Sequence, residues 1–311
     1  MEPGALLLLT GATGYLGSAV AAALSARGNR FRCLGRRPVT VSDSDSIFCD
    51  LSDTRALSQD AFKDVSVVIH CAGLAHRVAR EQDYERVNVQ ASKALAQLAA
   101  LSGVRHFVYV SSLNVVSARC ADPTAPPETV SQPTELYARS KWLAESALRE
   151  ICHDNDMALT VIRPALLFDE TLTGNLAILE RVLGWWPFLL PETGCRSLVA
   201  RPDVVKLILA CGEGKAGAPV GQSVIAATDG GCYTARCISR LLAPGRTIKM
   251  GGGFSMPSWL YQSACRLLDL WRNVSQGSTG SALTAEHWCG AVPEVVGWQP
   301  SLTLKARLGR Q

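Results

Sequence analysis

The chain has 311 residues, of which 48% are hydrophobic and 19% charged, with a formal net charge of +4. This composition is typical of a globular protein with one large domain or a main domain and a smaller companion, and it excludes a disordered chain. Lysine and arginine are scattered, which argues against nucleic-acid binding. No uncharged run reaches the length of a membrane-spanning helix, and the apolar run Ala5–Leu9 is too short for a signal peptide.

Eleven cysteines and five histidines are spread along the chain without the paired spacing of a metal site. The cysteines run from Cys33 to Cys289 and include no CxxC pair. Cys33, Cys49 and Cys71 lie in or beside apolar runs, where a thiol behaves as a small hydrophobic group. We therefore expect reduced cysteines, no bound metal and a cytoplasmic protein.

The first half of the chain alternates short apolar runs with longer helical patterns, which predicts a doubly wound parallel α/β sheet covered by helices. The helices are expected at Tyr15–Arg27, at Asp83–Ser102, and around Tyr137. The strands are expected at Ala5–Thr10, Phe31–Gly35, Ser46–Cys49, Val65–Cys71, His106–Ser111 and Ala158–Pro164. Glycines at the ends of the first two helices are typical stop signals.

The pattern changes from about Leu166, where turns and isolated helical stretches leave only Ser223–Ala227 as an obvious strand. We expect a dinucleotide-binding domain at residues 1–165 and a smaller substrate-binding region at 166–311 that returns elements to the main sheet. The apolar, aromatic segment Trp259–Trp271 is interrupted by Arg266 and Asp269. It predicts an amphipathic helix packed on the protein, with contact to a membrane surface as the alternative.

A glycine-rich turn, residues 11–17, joins the first strand to the first helix. Gly11, Gly14 and Gly17 are spaced as in dinucleotide-binding sheets of the Rossmann type, where a side chain would obstruct the turn, the pyrophosphate or the helix packing. The start of the helix then offers free N–H groups to phosphates. A glycine triplet alone is a weak indicator of a dinucleotide site, but this one lies between a strand and a helix, as dinucleotide binding requires.

The end of the second strand reads Cys33-Leu34-Gly35-Arg36-Arg37, without the acidic residue that selects the ribose of NAD. Arginine pairs well with a 2′-phosphate, so the sequence favours NADP, with NAD as the other possibility. The alternative is that both arginines are simply solvated. Asp50 follows the third strand and could accept a hydrogen bond from adenine, or Asp50 or Asp53 could cap the next helix.

Tyr137 and Lys141 are four residues apart and share one face of a helix. An ordinary tyrosine pKa is about 10, and we expect the lysine ammonium, together with an oxidised nicotinamide, to lower it so that the phenolate acts as a base. Ser112 lies at the carboxyl edge of the sheet and could polarise a substrate carbonyl. The alternative is a surface helix on which the tyrosine and the lysine have no catalytic role. The sequence contains no GxSxG elbow, the motif that would indicate a hydrolase.

These motifs resemble those of the extended short-chain dehydrogenase/reductases, the NAD-dependent epimerase/dehydratase family. The matching pieces are TGATGYLG (10–17), CDLSD (49–53), HCAG (70–73), VN (87–88), FVYVSS (107–112), YARSK (137–141) and VIRP (161–164). The resemblance implies that Ser112, Tyr137 and Lys141 are catalytic. It implies a cofactor site lined by Gly11, Thr13, Gly14, Tyr15, Leu16, Gly17, Arg36, Asp50, Leu51, Cys71, Ala72, Gly73, Asn88, Ser111 and Pro164, together with Tyr137 and Lys141.

The second half is similar to the family's nucleotide-binding stretch and to its terminal GWxP segment, here residues 297–300. The resemblance implies that Asn175 contacts the nucleotide, that Arg196 contacts the pyrophosphate of a UDP-sugar, and that Ser112 contacts the sugar. Residues 168–171 depart from the tyrosine–glycine–proline–glycine turn that often follows VIRP in the family. That departure concerns the substrate loop and leaves the cofactor chemistry untouched.

The order of segments looks most like that of bacterial enzymes acting at C4 of UDP-N-acetylhexosamines in surface-polysaccharide biosynthesis. We expect a 4-ketoreductase, with a 4-epimerase holding NAD tightly as the alternative. A reductase of a steroid-like or phenolic ketone, with Trp185, Trp186 and Phe188 in its pocket, and a non-catalytic cofactor sensor are further alternatives. The resemblance also implies a possible homodimer formed through Asp83–Ser102 and the Tyr137 helix.

Overall fold

The structure is a computed structural model. It describes residues 5–39, 44–75, 79–169, 180–181, 190–213, 222–242, 257–271, 285–290, 295, 297–304 and 306, and for 266–271 the backbone alone. Asn175, Trp185, Trp186 and Phe188, which the sequence singles out, lie outside these residues.

The described residues form a parallel sheet of seven strands in the order β3-β2-β1-β4-β5-β6-β9. Its strands are β1 (Leu6–Thr10), β2 (Phe31–Gly35), β3 (Ser44–Phe48), β4 (Val65–His70), β5 (His106–Val110), β6 (Ala158–Pro164) and β9 (Gln222–Ala227). Two short strands, β7 (Leu166–Phe168) and β8 (Leu198–Ala200), pair beside this sheet. The strand order reverses between β1 and β4, which is where ligands bind in doubly wound sheets.

Helices cover both faces of the sheet, which confirms the predicted fold class. The α-helices of the described residues are α1 (Tyr15–Ala26), α2 (Glu81–Tyr84), α3 (Ala91–Leu101), α4 (Leu136–Asp154), α5 (Arg201–Gly212), α6 (Ala235–Leu242) and α7 (Ser258–Trp271). Helices α1 and α5 pack together on one face, and α3 packs with α4 on the other. Because both faces are covered, β1 is a continuous apolar run, with Leu7 and Leu9 in one core and Leu6 and Leu8 in the other.

Most predicted boundaries agree with the structure to within one or two residues. The long helix expected at Asp83–Ser102 is divided, because a six-residue π-helix, Glu85–Gln90, separates α2 from α3. Strands β7 and β8 were not expected, since three residues are too few to show a period. Strand β9 comes from the second half of the chain and pairs with β6. The division into residues 1–165 and 166–311 stays a prediction.

The expectation that every cysteine is reduced is wrong. Cys232 and Cys289 form a disulfide with a Cα–Cα distance of 5.3 Å, although 57 residues separate them along the chain. The sequence does not reveal this pairing, because a turn after β9 and the distant segment 285–290 meet only in the folded chain. The cytoplasmic location that rested on reduced cysteines remains a prediction.

The segment Trp259–Trp271 is helical as predicted and forms most of α7. Tyr261 and Cys265 are buried against Leu190 and Ala235, whereas Trp259 is 69% exposed. The helix therefore packs on the protein through one face. Among the described helices, none is long and apolar enough to cross a membrane.

Candidate active site

The glycine turn between β1 and α1 requires glycine at two of its three positions. Gly11 has a φ of +74°, and a Cβ there would lie 2.6 Å from the backbone nitrogen of Ala72. A Cβ on Gly17 would lie 2.1 Å from the carbonyl oxygen of Gly11. The Gly14 N–H donates to that same oxygen at 2.8 Å, which closes the turn. The first helix therefore packs directly against the turn, as a dinucleotide site requires.

The N-terminus of α1 is open to a negatively charged ligand. Gly14 occupies the N-cap position without a side-chain cap, and the first turn carries no acidic residue. Thr13 and Tyr15 are exposed beside it, whereas Leu16 is buried in the core. The Arg201 guanidinium lies 4.5 Å from the Tyr15 ring centre and donates to the Tyr15 carbonyl at 3.0 Å. The free N–H groups and helix dipole suit a pyrophosphate.

The carboxyl ends of β2 and β3 bring Arg36 and Asp50 together. The Asp50 carboxylate accepts from the Ser52 N–H at 2.9 Å, and the hydrogen bonds of Ser52 hold its pKa below the ordinary value, with a smaller contribution from Arg36. Arg36 is exposed and forms no ion pair with any residue that the structure describes. Asp53, rather than Asp50, caps the following 3-10 turn. Leu51 is buried in the core beside α3.

A buried chain of hydrogen bonds crosses the switch point of the sheet. The Ser92 hydroxyl donates to the Asn88 carbonyl at 2.7 Å and accepts from His70 Nε2 at 2.8 Å. The Thr10 hydroxyl donates to His70 Nδ1 at 2.6 Å and accepts from the Ala72 N–H at 3.2 Å. Burial lowers the His70 pKa to about 3, so the ring is neutral. The sequence alone assigns no role to Thr10, His70 and Ser92, although Thr10 and His70 begin the motifs TGATGYLG and HCAG.

Asn88 fixes the loop that follows β4. Its side chain accepts from the Leu74 N–H at 2.7 Å and donates to the Leu74 carbonyl at 3.1 Å and the Ser140 hydroxyl at 2.9 Å. A Cβ on Gly73 would lie 3.1 Å from Asn88 Oδ1 and 3.2 Å from Lys141 Nζ. The π-helix that carries Asn88 thereby connects the predicted cofactor loop, residues 71–73, to α4, which carries Tyr137 and Lys141.

Ser112 and Tyr137 meet although 25 positions separate them in the chain. Ser112 follows β5 and caps a 3-10 turn, where its hydroxyl accepts from the Asn114 N–H at 3.2 Å. A hydrogen bond with Ser112 lowers the Tyr137 pKa, but burial is the larger effect and raises it to about 12. The phenol is therefore protonated at neutral pH. The Tyr84 ring lies 6.2 Å from the Tyr137 ring, between their centres.

Lys141 is buried one turn beyond Tyr137 on α4. Its ammonium donates to the Val110 carbonyl at 2.9 Å and lies 4.7 Å from the centre of the Tyr109 ring. Burial lowers the Lys141 pKa to about 8. Burial is the largest influence on the Tyr137 pKa and raises it, so the lowering expected from Lys141 together with an oxidised nicotinamide stays a prediction.

Two further predicted residues, Ser111 and Pro164, have structural partners. Ser111 is buried and donates its hydroxyl to the Glu145 carboxylate, which also binds Arg163. Pro164 ends β6 beside Ala227. The places of Ser111 and Pro164 in a cofactor site stay predictions, and the sequence did not single out Glu145 or Arg163.

The predicted substrate residues are only partly described. Arg196 forms an antiparallel bridge with Tyr233, and burial lowers its pKa, opposed by the neighbouring Tyr261. Asp203, which follows Arg196 in the chain, is hydrogen-bonded to residues near the end of the described chain. Its carboxylate accepts from the Ser301 N–H at 2.8 Å, and its carbonyl accepts from Trp298 Nε1 at 2.8 Å. Asp203 therefore anchors the terminal GWxP segment.

Comparison with known proteins was made by sequence and by structure. The model of the family described as NAD dependent epimerase/dehydratase matches residues 7–211. UDP-glucose 4-epimerase from Vibrio cholerae is 26% identical over 313 residues, covering 96% of this chain and 92% of that protein. Sterol demethylase protein B from Methylococcus capsulatus is 32% identical over 216 residues, covering 65% of this chain and 64% of that protein.

Among solved structures, MoeE5 in complex with UDP-glucose and NAD has a TM-score of 0.73 at 20% identity and covers 97% of this chain and 96% of its own. At that identity the likeness concerns the fold. The family match extends over more than half of the chain and contains the glycine turn, Ser112, Tyr137 and Lys141. The chain therefore belongs to the NAD dependent epimerase/dehydratase family and is an NAD(P)-dependent enzyme of the short-chain dehydrogenase/reductase type.

Proposed function

We propose that this protein is an NADPH-dependent reductase that acts on the C4 keto group of a UDP-linked N-acetylhexosamine in surface-polysaccharide biosynthesis. The observation that carries the proposal is Arg36, exposed at the end of β2 beside Asp50, where its guanidinium suits the 2′-phosphate of NADPH. Exchangeable NADPH favours reduction of a ketone over oxidation of an alcohol. Ser112 and Tyr137 meet beside Lys141 and offer the ketone a hydrogen-bond donor and a proton donor.

The residues present fit a dinucleotide. The uncapped N-terminus of α1 suits the pyrophosphate, and glycine at position 11 lets the turn pass close to the Ala72 backbone. Arg36 is exposed beside Asp50 and suits the 2′-phosphate of NADPH. Bound NADPH supplies the hydride that C4 receives.

Ser112, Tyr137 and Lys141 divide the rest of the work. The Ser112 hydroxyl donates a hydrogen bond to the C4 oxygen and polarises the carbonyl. Tyr137 transfers its proton to that oxygen as C4 accepts hydride, so that the ketone becomes a secondary alcohol. The Lys141 ammonium, held by the Val110 carbonyl, stabilises the phenolate that remains. The phenolate then recovers a proton from solvent.

The UDP half of the substrate is supported by Arg196 and by the relatives. Arg196 is half-buried on a strand-like segment, where a guanidinium suits a pyrophosphate. The Vibrio cholerae relative is a UDP-glucose 4-epimerase by name, and the MoeE5 structure contains UDP-glucose. Asn175, the proposed nucleotide contact, lies outside the described residues.

We also propose a cytoplasmic location and a homodimer formed through α3 and α4.

A 4-epimerase with tightly bound NAD is the second candidate. It is favoured by the relative that matches nearly the whole chain. The same three side chains serve both reactions, because epimerisation removes hydride from C4 and returns it to the opposite face. A sterol-like ketone is a further alternative, favoured by the name of the Methylococcus capsulatus relative.

One assay separates the first two candidates. The purified protein is given a UDP-4-keto-N-acetylhexosamine with NADPH, and loss of NADPH absorbance is measured alongside the sugar product. Stoichiometric oxidation of NADPH with formation of the C4 alcohol is expected. Interconversion of C4 epimers in a parallel reaction with a UDP-N-acetylhexosamine, without net NADPH consumption and by protein that carries its cofactor through purification, would instead establish the epimerase.

Thermal unfolding with UDP alone separates the sugar from the sterol class. A rise in Tm at saturating UDP is expected, since a ligand that binds only the folded state stabilises it. NADPH serves as the positive control for a folded cofactor site. A shift with NADPH and none with UDP would reject the nucleotide sugar.

A further inference from the structure

Three cysteine sulfurs from distant parts of the chain meet beside the Arg196–Tyr233 bridge. Cys195 precedes β8, Cys232 lies in the turn between β9 and α6, and Cys289 belongs to segment 285–290. The three sulfur atoms lie within 4.8 Å of one another. Neither the sequence spacing nor the proposed reaction accounts for this cluster.

Backbone hydrogen bonds bring the three cysteine-containing segments together. Arg196 and Tyr233 exchange backbone hydrogen bonds of 3.1 and 2.9 Å, which places their neighbours Cys195 and Cys232 diagonally across the antiparallel bridge. The His287 N–H donates to the Cys195 carbonyl at 2.8 Å and brings segment 285–290 to the same place. These contacts do not involve sulfur, so they persist whichever cysteines are bonded.

Within the cluster, a free thiol touches a disulfide. Cys232 and Cys289 are bonded, and Cys195 Sγ lies 3.1 Å from Cys289 Sγ. Thiol–disulfide exchange proceeds by attack of a thiolate on one sulfur of a disulfide, so a neighbouring thiol at contact distance is the arrangement it requires. Cys289 is the sulfur that both other cysteines reach.

We propose that Cys195, Cys232 and Cys289 form a thiol–disulfide exchange site in which Cys195 and Cys232 compete for Cys289. The Cys195 thiolate attacks Cys289 Sγ, the Cys195–Cys289 bond forms, and the Cys232–Cys289 bond breaks. The electron pair of the broken bond leaves on Cys232, which takes up the proton that Cys195 lost. One disulfide and one thiol are present before and after, so the step needs no outside oxidant or reductant.

The two pairings differ in which thiol is available to other molecules. Cys232 is exposed, whereas Cys195 and Cys289 are half-buried. Exchange therefore moves the free thiol from a partly covered position to the surface. There the Cys232 thiolate can attack a low-molecular-weight disulfide, form a mixed disulfide with one half and release the other half as a thiolate.

Three thiolates are also a donor set for a soft metal ion, and that alternative predicts different chemistry. A structural zinc site takes four protein ligands. In the part of the chain that the structure describes, the cluster offers three. The Cys232–Cys289 bond and the Cys195–Cys289 contact favour exchange. The experiment below distinguishes exchange from metal binding.

The test maps disulfides in the full-length protein, without reductant and at mildly alkaline pH, by alkylation of free thiols and mass spectrometry of the peptides. Wild type is expected to contain both Cys232–Cys289 and Cys195–Cys289 linkages. Cys232→Ser should contain only Cys195–Cys289, and Cys195→Ser only Cys232–Cys289. Cys120→Ser is the control, because its thiol lies outside the cluster, and it should match wild type.

Two results would overturn the proposal. One is alkylation of both Cys195 and Cys289 in the Cys232→Ser variant, which would show that Cys195 does not reach Cys289. The other is stoichiometric zinc in the purified wild type with no linkage among the three cysteines. The readout does not depend on catalysis, so a negative result would not bear on the proposed reductase activity. Circular dichroism of each variant confirms that it is folded.

Discussion

Glu145 and Arg163 form an ion pair in which neither side chain is exposed to solvent. Arg163 Nη2 donates to the carboxylate at 2.5 Å, and its other terminal nitrogen donates to the Pro123 and Ala125 carbonyls at 2.9 and 2.8 Å. The Ser111 hydroxyl donates to the same carboxylate. One pair of charges thereby joins α4 to β6, to the end of β5 and to the proline-containing loop that precedes α4.

Replacing Glu145 by Gln should destabilise the protein strongly. The variant keeps the volume of the side chain but leaves the guanidinium buried without a counter-charge. Removal of one partner of a buried pair costs about 3–5 kcal/mol, and we expect the free energy of unfolding in urea to fall by about that amount. Asp53→Asn is the matched control, since Asp53 pairs with Arg55 at the surface. A loss of less than about 1 kcal/mol in both variants would contradict the role of the buried pair.

The sequence was sufficient to predict the parts of the site that rest on local patterns. The glycine turn and the Tyr137–Lys141 spacing lie within single elements, and Ser112 follows directly from the end of an apolar strand. The Glu145–Arg163 pair could not be predicted in this way. It depends on the register between α4 and β6, which is set by packing of the whole sheet.

The same reason explains the missed hydrogen-bond chain through His70. Each of its residues lies in a different element, and the sequence shows only a polar residue at the end of an apolar strand. The disulfide between Cys232 and Cys289 was missed because the pairing needs two turns that no periodicity describes. Contacts between elements that are distant in the chain therefore could not be predicted from the sequence.

Substituting Ala for Gly17 should weaken cofactor binding strongly. The new Cβ would lie 2.1 Å from the Gly11 carbonyl oxygen, so the turn or the helix must move. We expect the Kd for NADPH, measured by fluorescence titration, to rise by about a hundredfold or more, which is a loss of about 2.7 kcal/mol. Gly212→Ala is the control, because the nearest atom to its Cβ is 3.5 Å away. Equal affinity in the two variants would argue against a close helix–turn contact.

Tyr137→Phe removes the proposed proton donor and should leave the fold intact. General acid catalysis contributes about 10²–10⁴-fold, and we expect kcat for the UDP-4-keto sugar to fall by that factor while the Kd for NADPH is unchanged. Tyr84→Phe removes a hydroxyl from the neighbouring ring and should keep turnover within about threefold of wild type. Full turnover by the Tyr137 variant would reject the phenol as the donor.

The rate of reduction should depend on pH through Lys141. Burial lowers the pKa of this lysine from 10.5 to about 8, so the ammonium is present below that pH and is lost as pH rises through it. Tyr137 stays protonated over the same range because its pKa is about 12. We expect kcat/KM for reduction to be level below the Lys141 pKa and to fall above it. In Lys141→Arg the cation persists, and whatever activity remains should show no fall in that range.

Arg36 should determine the choice between NADPH and NADH. It follows β2, is exposed beside Asp50, and is proposed to bind the 2′-phosphate that only NADPH carries. A hydrogen bond to a charged group contributes about 1.5–3 kcal/mol, so Arg36→Ala should raise the Kd for NADPH by about tenfold or more and leave that for NADH unchanged. Arg30→Ala provides the matched control, because Arg30 is exposed at the opposite, amino end of the same strand. Equal losses of affinity for both cofactors would remove the argument for NADPH, and with it the main reason for assigning the cofactor to the reductive reaction.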